Sequence, residues 1–387
     1  MRNTIGVLPS QDIKSMISSG MITSKVKIPE GNIQPGSIDL RLGQGEMIRL
    51  PGIFSPEMDD IADFARKMCD KANFYRRPLT DEGFVLETGV PYLVPNEEVL
   101  DLGEYFSGRA NPKSTSGRNN LQVRLVCNCH PEFDSIPAGY KGPTYNIIKA
   151  NSYPIRIKAG QTFNQVRFAN GRMSDCRLAP HQLEMEHKKH GLVFDLKGRK
   201  ILSKNLKMTG SSLVLTANLK NVEEDKPAVL KAKDSSQHCL SYASKNVPLE
   251  DFFEEVKPSK EGFIPLSKGG FYILSTNEAV AVPPYLCCEM VDYNSGIGEF
   301  RSHYAGFFDP GWGCNPIHHK VLGTPAVLEI IPHEDILLWH GSPVCCMEYF
   351  YMTEIPPVVY GDAGNNYHLQ AGPRTAKQFI STKWNMN

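Results

Sequence analysis

Chemistry enters this chain at two places. The first is Glu329, the one acid in the apolar run Val327-Leu328-Glu329-Ile330. Strand alternation puts Val327 and Glu329 on one face, Leu328 and Ile330 on the other. A carboxylate held in a pocket loses solvation, its pKa rises, and it can take and return a proton near neutral pH. On a half-exposed strand the same residue is only a solvated acid. Upstream lies His303-Tyr304-Ala305-Gly306-Phe307-Phe308-Asp309-Pro310-Gly311-Trp312-Gly313. Its Asp-Pro-Gly is a tight reversal, proline presetting φ and glycine supplying conformations other residues resist. Trp312, beside the turn, either stacks on a base or plugs a barrel end. The second place is Lys113-Ser114-Thr115-Ser116-Gly117-Arg118, a loop of cations and hydroxyls suited to phosphate oxygens.

Other clusters read more simply. His130-Pro131-Glu132 has the His-x-Glu of zinc-dependent cytidine deaminases, but the Pro-Cys-x-x-Cys that completes their ligand set does not follow. Cys127 and Cys129 are expected as buried thiols and His130 as a surface group. His187, Lys188, His190, His318 and His319 are expected as polar loop residues. Asp134 and Asp309 are acids that could activate water near an α-phosphate.

The elements that must carry these groups are mostly strands. The chain has 387 residues, room for two domains. Its 32 Gly and 28 Pro, with short β-rich runs between them, favour a mainly β architecture with few helices. Helices are expected over Ser10 to Gly20, capped by Ser10, and over Glu57 to Lys71, where Ile61, Phe64 and Met68 recur at helical steps. Forty-two basic residues balance forty-two acidic ones, so no overall field favours nucleic acid or membrane. Ten cysteines without a signal peptide suggest reduced thiols in a cytoplasmic protein. The charged run from Asn218 to Lys260 is expected as a solvated surface insertion, and the tail beyond Glu354 as too polar for core.

The halves repeat. Glu82-Gly83-Phe84 matches Glu261-Gly262-Phe263, Tyr92-Leu93-Val94 matches Tyr272-Ile273-Leu274, and Asn96-Glu97 matches Asn277-Glu278. Ile136 to Gly142 answers the Phe308 to Gly313 turn, and Ser37-Ile38-Asp39-Leu40 has an echo in Val193-Phe194-Asp195-Leu196. A duplicated domain therefore spans residues 1–176 and 177–355, with a C-terminal arm over 356–387. The copies diverged in complementary ways. Where the first has its donor loop, the second reads Val291-Asp292-Tyr293-Asn294-Ser295-Gly296; where the second has Glu329, the first has no acid near Ile147. A complete site needs both.

Several motifs in order, Gln34 to Gly43, Ala110 to Arg118, Ile136 to Tyr140, Gly298 to Arg301, the Asp309 turn and Ala326-Val327-Leu328-Glu329, resemble the dCTP deaminase family. This is a branch of the trimeric dUTPase superfamily, and the likeness is to its long two-domain form, over nearly the whole chain. The resemblance implies two tandem dUTPase-like distorted β-barrels, jelly-roll-like, and deamination of dCTP to dUTP and ammonia with Mg²⁺ on the triphosphate and no catalytic zinc. By motif, Glu329 matches the proton-shuttling glutamate, Ala305 the carbonyl that holds water, and Ser114 and Arg118 the loop that touches triphosphate. Lys113, Thr115 and Ser116 belong to the same loop. Asp309 matches the sugar contact, Val327 and Leu328 the base-reading strand, and Tyr360, Tyr367 and Gln370 the closing arm, where Asn366 stands for the family's lysine. Sites in this superfamily form between neighbouring barrels, so a homo-oligomer with trimeric or pseudo-trimeric packing is expected, and dTTP is a possible feedback ligand. Two other functions fit the fold: dUTP pyrophosphatase, alone or combined with deamination, and a non-catalytic nucleotide binder.

Overall fold

The computed structural model describes residues 4–220, 226–233, 238–291, 300–302, 306–314, 321–362, 367, 370 and 372–384. The chain forms two compact units. One comprises Met1–Cys176, Gln237–Ser244 and Met352–Glu354; the other comprises Arg177–Ser236, Lys245–Tyr351 and Ile355–Asn387. Both are built of curled antiparallel sheets, as distorted barrels are.

In the first unit, strand Ser37–Arg41 is buried throughout and pairs with Thr162–Asn170, which pairs in turn with Phe106–Pro112. Ile38, Leu40, Ala110, Val166 and Phe168 form a core with Ile13 and Met16 of helix Ser10–Ser18. That helix has the expected inward residues, but Pro9 rather than Ser10 holds the capping position, and Ser10 lies inside the first turn. A second sheet centres on Pro91–Asp101, flanked by Lys141–Ala150 and Glu46–Arg49. Helix Ile61–Lys71 covers it with Ile61, Ala65 and Cys69. It starts at Ile61 rather than Glu57 because the Asp60 carboxylate accepts the Asp63 N–H at 2.9 Å, which fixes the first turn there.

The second unit repeats this order. Helix Pro180–His190 precedes Val193–Asp195 as Ser10–Ser18 precedes Ile22–Ser24, and Val193 pairs with Val280 as Ile22 pairs with Leu100. Ser212–Asn218 pairs with Pro343–Tyr351 as Ser37–Arg41 pairs with Thr162–Asn170, each with a bulge near the same step. The counterpart of Ser37-Ile38-Asp39-Leu40 is therefore Ser212-Leu213-Val214-Leu215, not Val193 to Leu196. Both candidates alternate as strands, and only the pairing separates them.

Register corrects a second match. Leu42 bridges Asn96, and Ala217 pairs with Thr276. Glu98 and Glu278, each two residues farther on, are thus equivalent, where the sequence match set Glu97 against Glu278. They do the same work. Glu98 accepts the Arg41 N–H at 2.8 Å and its Nε–H at 2.7 Å; Glu278 accepts the Thr216 N–H at 2.7 Å and its hydroxyl at 2.8 Å.

Two segments expected in solvent are not. Within Asn218 to Lys260, strands Val229–Ala232 and Phe253–Glu255 join the large sheet of the second unit, and Leu240–Ser241 pairs in parallel with Ile155–Ile157 of the first. Val229, Leu230, Leu249, Phe252 and Phe253 are buried there, an apolar content that the surrounding charges mask in the sequence. In the tail, Tyr367, Gln370, Thr375, Ala376 and Gln378 are buried. Phe379–Ile380 pairs with Val247–Pro248, and the Phe379 ring contacts Phe252 and Phe253 at 5.3 and 5.5 Å. Polar residues are tolerated there because they are bonded: Gln370 Nε2 donates to the Pro325 carbonyl at 3.2 Å. Among the described residues no helix is long and apolar enough to cross a membrane.

His187, expected in a loop with Lys188 and His190, is instead buried in helix Pro180–His190, whose inward stripe is little more than Leu183 and His187. So thin a stripe gives almost no periodic signal. The His187 Nδ1 accepts the Leu192 N–H at 3.2 Å, which leaves Nε2 to donate to the Ile201 carbonyl at 2.7 Å. This is the neutral ring, and burial holds its pKa below the ordinary value of 6.5. A proton is then bound more readily by the unfolded chain, so His187 stability is complete above about pH 6.5 and is lost as pH falls from there toward the folded pKa. Urea midpoints should fall between pH 7 and 5.5, with a shallower slope in His187→Gln; equal slopes would remove the role. Glu98→Ala should cost about 3–5 kcal/mol by leaving Arg41 buried without its carboxylate. Lys268→Ala, at the exposed Lys268–Glu334 pair, should cost under about 1 kcal/mol in the same denaturation series.

Candidate active site

The expected site residues fall into two groups, one in each unit. The first follows strand Phe106–Pro112, where Lys113 leads into the single helical turn Ser114–Gly117. The Ser116 and Gly117 N–H groups return to the Lys113 carbonyl at 2.8 and 3.0 Å, and Arg118 N–H to Ser114 at 3.0 Å. Ser114 is half-buried, while Thr115, Ser116 and Arg118 are buried, Arg118 at 3 % exposure. Four residues make no stable helix alone, so the turn is braced from outside. The Lys113 amine is taken by Asp39 and by Thr162 Oγ1 at 2.9 Å. Asn119 donates to the Thr115 carbonyl at 2.8 Å and accepts from the Tyr153 hydroxyl at 3.2 Å. Ser116, fully buried, donates to the Phe163 carbonyl at 3.0 Å, with the Tyr242 hydroxyl 3.0 Å away. Lys113 and Ser116 thus spend their polar atoms on holding the loop.

The second group is built on strand Thr324–Pro332, paired with Tyr272–Val280. Ala326, Leu328 and Ile330 point into the unit's core. Alternation puts Val327 and Glu329 on the opposite face, yet Glu329 is only 2 % exposed. The carboxylate is therefore in a buried setting and not on a solvated strand face. Glu329 pairs with Ile273, and Ile147 of the first unit pairs with Leu93. Leu93 and Ile273 are equivalent in the repeat, so Ile147, a core side chain, stands where the second copy has its acid.

The turn beside this strand is as drawn from sequence. Trp312 N–H returns to the Asp309 carbonyl at 3.0 Å, and Gly311 and Gly313 both have positive φ, 94° and 68°. A Cβ on Gly311 would lie 2.8 Å from Val359 Cβ and 3.0 Å from the Tyr360 nitrogen, so glycine is what lets the arm approach the turn. Asp309 is buried. The Trp312 ring is buried between Phe308 and Tyr360, each with centroids 5.0 Å away, a packed plug at the turn. Tyr367 joins the core and its hydroxyl accepts the Lys377 N–H at 3.2 Å. Ala305, His318, His319, Asn366, Gly298, Glu299 and the Asp292 to Gly296 stretch lie outside the described residues.

Cys127 ends a core strand, and burial pushes its thiol up to about 12, far from a thiolate ligand. Cys129 is exposed rather than buried, held at φ 56° in the turn after that strand. Among the described residues no group of three or more His, Cys, Asp or Glu is placed to hold a metal. Asp134 forms an ion pair with Arg124, Oδ2 to Nε 2.7 Å, and accepts the Leu125 N–H at 2.7 Å, so it braces its hairpin. Sequence reasoning missed the roles of Asp39, Tyr153 and Tyr242. Asp39 lay within a recognised motif, whereas Tyr242 carried no local signal inside a charged run.

Comparison with known proteins follows the same division. The family model for the 2'-deoxycytidine 5'-triphosphate deaminase N-terminal domain matches residues 4–172, and that for its C-terminal domain matches residues 179–379. A protein of Sulfurihydrogenibium named "dCTP deaminase, dUMP-forming" is 27% identical over 179 residues, 46% of this chain and 89% of its own. A relative of the same name from Persephonella marina is 30% identical over 139 residues, 35% of this chain and 69% of its own. The crystal structure of 2'-deoxycytidine 5'-triphosphate deaminase from Agrobacterium tumefaciens superposes with a TM-score of 0.80 at 33% identity, covering 91% of this chain and 99% of that one.

Proposed function

The chain belongs to the dCTP deaminase family, and from that premise we propose that it deaminates dCTP hydrolytically, with Glu329 as the proton shuttle. The observation that carries this reading is a carboxylate at 2 % exposure on a core strand, in the motif position of the family's acid. Attack of water at C4 of cytosine needs a base for the water, a proton for N3 and a proton for the departing amine. One carboxylate can serve all three. Glu329 takes a proton from water as the C4–O bond forms and passes it to N3. The second water proton then goes to the amine, the C4–N bond breaks, and ammonia leaves with the acid restored. Water is activated by the carboxylate, so the route calls on no zinc. The Ala305 carbonyl would hold the attacking water.

The phosphate end of the reading rests on Ser114 and Arg118, with the loop's backbone donors beside them. Arg118 is the loop's buried cation, and a guanidinium suits phosphate oxygens. Mg²⁺ would arrive as part of the bound triphosphate. Asp309 would meet the sugar and the Val327-Leu328 backbone the base, with Tyr360, Tyr367 and Gln370 closing over the nucleotide, in a homo-oligomer within the cytoplasm.

A second reading is favoured by the curated relatives, whose names specify dUMP as product. It adds cleavage of the α–β phosphate bond by water to the deamination, releasing pyrophosphate. Asp134 is committed to Arg124, which leaves Asp309 as the acid of the original pair for that step.

Incubation with dCTP and Mg²⁺ separates the readings: dUTP with ammonia marks deamination alone, dUMP with ammonia and pyrophosphate marks the double reaction, and no turnover rejects both. Glu329→Gln should lower kcat by at least about 10²-fold with dCTP affinity nearly kept; wild-type turnover would remove the shuttle. Arg118→Ala should raise KM for dCTP by roughly 10- to 100-fold through lost charge-assisted bonds, and an unchanged KM would detach this loop from the triphosphate.

A further inference from the structure

A strand from the middle of the chain is laid beside the phosphate loop. Leu240–Ser241 pairs in parallel with Ile155–Ile157. The Leu240 N–H donates to the Pro154 carbonyl and the Tyr242 N–H to the Arg156 carbonyl, both at 3.0 Å. That pairing fixes the Tyr242 backbone. Its ring then lies on Phe163, centroids 4.2 Å apart, and its hydroxyl reaches Ser116 Oγ at 3.0 Å and the Thr162 carbonyl at 3.4 Å. Because the Ser116 hydroxyl donates its one proton to Phe163, the Tyr242 proton serves the pair, directed to Ser116 at 3.0 Å in preference to the longer contact with the Thr162 carbonyl at 3.4 Å.

Ser116 sits in the middle of the turn whose ends, Ser114 and Arg118, are the residues given to phosphate. The other braces on this turn, Asp39, Thr162 and Tyr153, come from the first copy's own sequence. Tyr242 comes from the run between two strands of the second copy, yet folds into the first unit. A phosphate cradle set before the ligand arrives spares binding the cost of ordering the loop.

We propose that Tyr242 is a positioning residue for triphosphate binding: its hydroxyl, placed by strand pairing and by packing on Phe163, fixes Ser116 and so the Ser114–Arg118 turn. This rests on the reading of that turn as the triphosphate cradle. The deletion of one atom isolates the claim, since Tyr242→Phe keeps the ring and the strand and removes only the hydroxyl.

Steady-state deamination of dCTP should show KM raised about 3- to 10-fold in Tyr242→Phe, with kcat nearly unchanged. Inhibition by deoxycytidine, which has no phosphate, should keep its wild-type Ki. Ser116→Ala should raise KM similarly, and the double variant should be no worse than the poorer single one, because both remove the same hydrogen bond. An unchanged KM in Tyr242→Phe, a parallel loss of deoxycytidine affinity, or additive effects of the two substitutions would overturn the proposal. A wild-type protein that neither binds nor deaminates dCTP would sink the site reading and this proposal together, whereas wild-type turnover with an unaltered Tyr242→Phe enzyme sinks the proposal alone.

Discussion

Each barrel depends on a glutamate clipped to a backbone N–H of the strand that precedes it in the chain, Glu98 fully buried and Glu278 half-buried. In the first unit Glu98 lies on one sheet and Arg41 on the other, so two hydrogen bonds, one of them also an ion pair, join the sheets beside the Leu42–Asn96 bridge. Burial pushes the Glu98 carboxyl up from the usual range, and Arg41 opposes it. A charge in that setting persists only while its partners are in place, which makes the clip a constraint on register and not only a source of stability. In the second unit Glu278 does this with the Thr216 N–H and hydroxyl. No cation is required there because the two strands have merged into one sheet through Ala217–Thr276 and Asn218–Ser275.

With the scaffold held equivalent, the copies differ at single positions on it. Asp39 in the first strand pair holds Lys113 at the head of the Ser114–Gly117 turn, and its counterpart is Val214. Ile147 packs in the first core where the second copy presents Glu329. Each loss is consistent with its surroundings. A donor loop without an acid partner to anchor its lysine, or an acid in a position fully committed to apolar packing, would each leave a buried polar group poorly compensated.

The segments that complete these surroundings are late or inserted ones. The arm covers the Asp309 turn because Gly311 lets Val359 and Tyr360 approach, and Gln370 ties it to the strand of Glu329 through Pro325. The Leu240–Ser241 strand does the comparable service for the Ser114–Gly117 turn, bringing the Tyr242 hydroxyl to Ser116. Chain far from the motifs thus supplies the rigidity that the motif residues, lying in short turns, do not have of themselves.

The sequence by itself determined the strand-rich class, the internal repeat, the Asp309 turn and the two groups of chemistry-bearing residues, because these are local: alternation, turn chemistry and short motifs are written in adjacent positions. It also placed Ile13 and Met16 correctly on a helix face and left Glu329 open between solvent and pocket. Only the tertiary structure decided that question, since burial belongs to what packs over a strand and not to the strand. The same holds for His187, whose helix has too thin an apolar stripe to announce itself, for Ser212–Asn218 as the true counterpart of Ser37–Arg41, and for Glu98 against Glu97, where alternation alone cannot choose between neighbouring positions. It holds most of all for Tyr242, whose partner Ser116 is 126 positions away along the chain. A hydrogen bond across that separation leaves no trace in local composition, and strand pairing alone brings its two ends together.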